Sequence, residues 1–160
     1  MGKVISNLTE LKGILERERE KGKKIIFGNG CFDLLHVGHI RYLKGAKALG
    51  NILIVAINDD ASVTGLGKRR KAITPAAERA EIISAIEYVD YVIIFREPTV
   101  ERLLLTLKPD IHAKGTDYTE DNVPERNIVI SYGGEVAIVG DPKEHSTRDI
   151  IKTIKQLEDK

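Results

Sequence analysis

Short, unbroken apolar runs alternate with longer amphipathic stretches along this chain, and that order leaves few folds open. KKIIF (23–27) reads as a strand and VGHIRYLKGAKALG (37–50) as a helix closed by Gly50. NILIVAI (51–57), DYVIIF (90–95), DIHAKG (110–115) and GEVAIVG (134–140) read as four further strands. Helices are expected over 75–89, with Thr74 as N-cap and Pro75 in the first turn, and over 98–108, stopped by Pro109. Ser146 or Thr147 can cap a last helix, and NLTELKGILERERE forms one before the first strand. Strands that are apolar throughout, rather than at alternate positions, belong to a parallel sheet covered on both faces. The expectation is a single α/β Rossmann-like domain over 1–160, with an N-terminal helix in 1–22, a core over 23–160 and a five-stranded parallel sheet.

A length of 160 residues suits one domain. Lys+Arg at 25 against Asp+Glu at 24 gives a net charge of +1, which does not mark a nucleic-acid or membrane-surface binder. No apolar run approaches the ~20 residues of a membrane span, and the first residues lack the apolar centre of a signal peptide. A lone cysteine, Cys31, excludes an internal disulfide. A cytoplasmic protein is expected.

In open parallel sheets, ligands bind beyond the carboxyl ends of the strands. The segment following the first expected strand is GNGCFDLLHVGH (28–39). Its glycines let a ligand approach the backbone, and the helix starting near Val37 adds a positive N-terminal end that favours anions. His36 and His39 sit at that helix start, with Gly38 leaving space between them. Two imidazoles directed at one anion suit phosphoryl or nucleotidyl transfer, because they can donate to oxygens whose charge grows in the transition state. The alternative is a pair of helix-capping histidines with no ligand. A divalent metal held by both is disfavoured, since Mg²⁺ prefers oxygen ligands.

HVGH, within GNGCFDLLHVGHIRYL, resembles the HxGH signature of the nucleotidyltransferase superfamily. Over about 24–157 the chain is most similar to the adenylyltransferase domain of bacterial ADP-heptose synthases, through INDDASV, ITPAAERAEIISAIEYVDYVIIF, KPDIHAKGTDYT, YGGEV and HSTRDIIKTI as well. The resemblance implies transfer of AMP from ATP to a heptose 1-phosphate, with Mg²⁺ held mainly by the nucleotide's phosphates. It also implies a stand-alone enzyme without a fused sugar kinase, and a homodimer.

By the same resemblance His36, His39 and Lys68 are catalytic, with Arg70 a rival to Lys68. Gly30, Cys31, Phe32, Gly38, Asn58, Arg70, Lys71, Arg79, Gly115, Asp117, Ser146 and Thr147 fall at the nucleotide, and Asp33 and Lys114 at the acceptor. The cations of the loop 67–71 can screen repulsion between two phosphates. Arg79 either reaches the triphosphate or pairs with Glu78 or Asp90. Cys31 is expected to be a small turn residue, and His112 to belong to the core or a sheet edge. Thr116 departs from the family's Lys-Gly-Gly-Asp-Tyr, and Arg148 replaces a threonine.

The alternative within the superfamily is a cytidylyltransferase using CTP and glycerol 3-phosphate or a similar alcohol phosphate. Glu87 and the stretch 140–145 depart from that pattern, and an archaeal-type FAD synthetase fits KGTDYT poorly. From another class, a non-catalytic nucleotide sensor is opposed by the presence of both histidines, the basic loop and the hydroxyl pair. An RNA-binding fragment is opposed by the neutral charge.

Overall fold

The structure is a computed structural model and describes residues 1–65, 71–142 and 144–159. Its sheet has six parallel strands: β1 (Lys3–Val4), β2 (Ile25–Gly30), β3 (Ile52–Asn58), β4 (Tyr91–Phe95), β5 (Ile111–Lys114) and β6 (Glu135–Ile138). Among the described residues seven helices connect and flank them: α1 (Leu8–Glu20), α2 (Val37–Lys47), α3 (Asp60–Gly65), α4 (Ala76–Ser84), α5 (Glu101–Leu107), α6 (Arg126–Ser131) and α7 (Thr147–Glu158). The sheet order is β1-β4-β3-β2-β5-β6.

The expectation of five strands is corrected to six. The additional strand, β1, pairs Lys3 with Tyr91 and Val4 with Val92 at the sheet edge. Two exposed residues carry no apolar period, so nothing in the pattern announces them. Helix α4 begins at Ala76 after Pro75, and Thr74 does not cap it. The short helices α3 and α6 were also not expected; at 6 residues each they are too brief for a helical period to show.

The apolar strands do what both-face coverage requires: all seven residues of β3 are buried. Their side chains divide into two cores. Ile25, Phe27, Ile54 and Ala56 pack with Leu11 and Leu15 of α1, Leu103, Leu104 and Leu107 of α5, and Val129 of α6. Ile26, Leu53, Val55 and Ile57 pack on the other face with Leu43 and Ala46 of α2 and Ala80 and Ile83 of α4.

Strand order reverses between β2 and β5, so a crevice opens at their carboxyl ends. Tyr42 of α2 spans this point, its hydroxyl donating to the Ala113 carbonyl of β5 at 2.7 Å. Gly28 makes that possible, because a Cβ there would stand 2.4 Å from the Tyr42 oxygen. Burial raises the pKa of the Tyr42 hydroxyl, which keeps it a donor.

At the opposite end, aspartates preceding two strands fix the register of their neighbours. The Asp110 carboxylate accepts from Ile25 N and that of Asp90 from Leu53 N, both at 2.8 Å, and Asp90 also takes Lys47 Nζ at 2.5 Å. Lys47 is therefore paired, where solvated charge is the default for a helix lysine. Asp90→Ala strands the buried amide of Leu53, and a loss of about 1–3 kcal/mol in unfolding free energy is expected by urea titration. An unchanged midpoint would show that the bond contributes nothing.

Candidate active site

β2 runs on to Gly30, so the stretch Gly28-Asn29-Gly30 is strand rather than loop, laddered against Val55, Ala56 and Ile57. The chain then turns through Phe32 in the left-handed region, φ 49°. For a residue with a Cβ this costs roughly 1–2 kcal/mol. The ring is only 5% exposed and packs 5.4 Å from the His39 ring and 6.4 Å from Tyr42. A Cβ on Gly30 would stand 2.9 Å from that ring. The buried Asp33 follows, its carboxylate accepting from Ile73 N at 2.8 Å and Thr74 N at 2.9 Å. Expected at the acceptor, Asp33 lines the cleft and also anchors the segment leading into α4.

His36 is the N-cap of α2, and the two histidines cap it reciprocally. Nδ1 of His36 accepts from Gly38 N at 3.1 Å, and Nδ1 of His39 accepts from His36 N at 3.2 Å. Their rings lie tilted by 31° with centroids 3.9 Å apart. An Nδ1 that accepts a backbone N–H carries no proton, so each neutral ring holds its proton on Nε2. Capping and phosphate binding are thus compatible uses of one side chain, each through a different nitrogen. Gly38 serves the cap: a Cβ there would lie 2.8 Å from the His36 ring, so the space expected for a ligand is first of all space for that imidazole.

The histidines line a cleft of about 940 Å³ over the β2–β5 crevice. Gly30, Cys31, Phe32, Gly38, Asn58, Lys114, Gly115, Asp117, Ser146 and Thr147 also line it, so most of the sequence-expected site is brought together. The start of α7 closes one side. Ser146 caps that helix, accepting from Asp149 N at 3.1 Å, while the Thr147 hydroxyl donates to the Leu34 carbonyl at 2.8 Å and docks the helix beside the histidines. Thr116, the departure from the family pattern, ties the two rim loops together by donating to the Asp141 carbonyl at 2.7 Å. Lys114 Nζ lies 4.7 Å over the Tyr118 ring.

Arg79 does not line the cleft. It is fully buried beneath it and pairs with neither Glu78 nor Asp90. Nε donates to the Thr74 carbonyl at 2.8 Å, Nη1 to the carbonyls of Cys31 and Asn58 at 2.7 and 2.9 Å, and Nη2 to Asp60 at 2.8 Å. Lys71 is exposed. Lys68 and Arg70 lie outside the described residues.

Sequence reasoning gave no role to His145 or Glu125, which line the cleft wall. His145 brings a third imidazole, its ring centroid 6.3 Å from that of His36; its place just before a helix-capping Ser-Thr pair was the available signal. Glu125 lies in an irregular stretch with no such signal. It faces His112, which is fully buried on β5 between β2 and β6 rather than at an edge. The Nε2–Oε2 distance of 3.6 Å makes this contact electrostatic rather than a hydrogen bond. Burial lowers the His112 pKa. Burial alone would raise that of Glu125, but His112 and Lys114 bring it below the ordinary carboxylate value.

The profile of the cytidylyltransferase-like family matches residues 27–156, and the chain belongs to that family. With that family and its relatives, this chain is a nucleotidyltransferase. Over 150 residues it is 49% identical to bifunctional protein HldE of Geobacter metallireducens, covering 94% of this chain and 31% of that protein. For HldE of Ectopseudomonas mendocina the identity is 44% over 151 residues, 94% of this chain and 32% of that protein. The chain thus spans about a third of the length of these curated relatives. A lipopolysaccharide core biosynthesis protein from Thermoplasma volcanium superposes with a TM-score of 0.67 at 29% identity, over 76% of this chain and 100% of that one. Pantothenate synthetase from Thermus thermophilus, at 18% identity, a TM-score of 0.67 and coverage of 96% of this chain and 70% of its own, shares the fold.

Two outcomes are expected. Arg79→Met leaves the carbonyls of Cys31, Asn58 and Thr74 without their donor and lowers stability by about 2–4 kcal/mol in chemical denaturation. A variant as stable as wild type but weak in ATP binding would instead put the guanidinium on the triphosphate. For His112, a folded pKa below the unfolded value of 6.5 means that the native state binds fewer protons. Stability is therefore full above 6.5 and is lost as pH falls through the window beneath it. Unfolding titrations from pH 7 to 5 should show that loss, and His112→Gln should flatten it. An equal slope in the variant would assign the loss to other groups.

Proposed function

We propose that the chain transfers AMP from ATP to a heptose 1-phosphate. The reading is supported by its similarity to HldE proteins and to the adenylyltransferase domain of ADP-heptose synthases. The observation that carries the chemistry is the reciprocal histidine cap, which puts two Nε2–H donors side by side at a helix start. An oxygen of the acceptor phosphate attacks the α-phosphorus of ATP in line. A new P–O bond forms as the bond from the α-phosphorus to the bridging oxygen breaks, and that oxygen leaves with pyrophosphate. His36 and His39 donate to oxygens that gain charge in this step, and the N-terminus of α2 adds its positive end.

Lys68, Arg70 and Lys71 would screen the phosphates, Lys114 would hold the acceptor phosphate, and the residues at Gly115, Asp117, Ser146 and Thr147 would border the nucleotide. Among the described residues no three His, Cys, Asp or Glu side chains gather as a metal cage. Mg²⁺ would arrive on the triphosphate, where it would neutralise phosphate charge. A homodimer working in the cytoplasm is part of the same reading. No helix among the described residues is long and apolar enough to cross a membrane.

The test is Mg²⁺-dependent pyrophosphate release, crossing ATP and CTP with heptose 1-phosphates and glycerol 3-phosphate. ATP with a heptose 1-phosphate should be the productive pair, and release with CTP and glycerol 3-phosphate alone would replace this reading by the cytidylyltransferase one. His36→Asn separates the two uses of the histidine. Asparagine can still cap α2 but has no Nε2–H, so kcat should fall about 10²–10³-fold with little change in melting temperature. Near-normal turnover would remove the histidine from the mechanism.

A further inference from the structure

On the sheet face that carries α1, α5 and α6, the cleft has a second wall whose charges a phosphate site does not explain. The register that pairs Phe27 with His112 brings Asn29 of β2 level with Lys114 of β5, and both side chains line the cleft. Glu125 lines it beside them. It stands at the N-cap position of α6 yet makes no side-chain capping bond. Its side chain is only 13% exposed, with Oε2 4.0 Å from Lys114 Nζ and 3.6 Å from His112 Nε2. Among the described residues Glu125 Oε2 and Asn29 Oδ1 are buried without a hydrogen-bond partner. Such atoms cost free energy unless something donates to them.

A wall built for phosphate alone would not hold a carboxylate 4.0 Å from its lysine, because the carboxylate cancels the attraction the lysine supplies. A ligand with a phosphate at one end and hydroxyl donors at the other satisfies both groups. An ionised carboxylate only accepts, and so does the amide oxygen of asparagine, so both match hydroxyl groups. The depressed pKa of Glu125 is in keeping with this, since it keeps the group an acceptor.

We propose that Glu125 and Asn29 receive hydroxyl groups of the acceptor's sugar, which makes this wall the sugar subsite and sets acceptor specificity. The inference rests on the reading of the acceptor as a polyol phosphate. His112 backs the carboxylate from the core.

The test compares wild type, Glu125→Gln and Asn29→Ala in steady-state pyrophosphate release, with heptose 1-phosphate, hexose 1-phosphates and glycerol 3-phosphate as acceptors. ATP affinity is measured separately by calorimetry with no acceptor present, and melting curves check folding. In both variants the KM for the preferred acceptor should rise tenfold or more, with ATP affinity within twofold of wild type. Loss of ATP affinity in correctly folded variants would overturn the assignment, because the wall would then belong to the nucleotide. An unchanged acceptor KM in either variant would overturn it as well. If wild type uses another polyol phosphate, the heptose reading fails while the KM split with that acceptor still decides the subsite. A wild type silent with every acceptor overturns both.

Discussion

The Arg79 guanidinium joins chain segments that would otherwise have no reason to meet at the carboxyl ends of the central strands β2 and β3. Fully buried, it donates to the carbonyls of Cys31 beyond β2, Asn58 at the end of β3 and Thr74 before α4, and it pairs with Asp60. Carbonyls at strand ends in a buried setting need donors, and a planar guanidinium with five N–H groups can serve several at once. Asp33 complements it by accepting the Ile73 and Thr74 amides. Together they place the turn through Phe32, and with it the start of α2, at a fixed height above the crevice.

On that base the histidine cap occupies one nitrogen of each ring and leaves the other facing away from the cap. Stability uses Nδ1, and the resulting tautomer puts the proton on Nε2. Preorganisation follows at no further cost, because the rings that hold the helix start are held by it. Gly38 and Gly30 are needed for the same reason, each leaving room for a ring of the site itself. The docking of α7 through Thr147 to Leu34 then brings a second helix start, with His145 and Ser146, to the same cleft.

The two walls of the cleft differ in sign. The wall at α2 and α7 offers helix starts and imidazoles, which suit phosphate oxygen. The wall at β2, β5 and the start of α6 mixes a lysine with a buried carboxylate and an amide oxygen, which suits a ligand with both phosphate and hydroxyl groups. Family membership and the HldE relatives fit a nucleotidyl transfer in which phosphate chemistry is shared by many members.

The alternation of apolar runs and amphipathic helices was sufficient to specify a parallel sheet covered on both faces, because continuous burial of a strand is written in its composition. The motif at 28–39 was legible too, since His36, Gly38 and His39 meet through spacing along one helix start. Neighbours distant in sequence were not legible. The buried role of Arg79 depends on carbonyls 48 and 21 residues away, and the same arginine in a local reading is free to reach a phosphate. The edge strand β1 exists only because β4 offers it a partner. Glu125 acquired its place from the fold of an irregular stretch against β5, which no periodicity encodes. Local pattern determines which elements form, because backbone geometry and burial repeat along the chain. Only the tertiary structure decides which side chains share a dielectric environment and a partner, because those depend on distances that the order of residues does not contain.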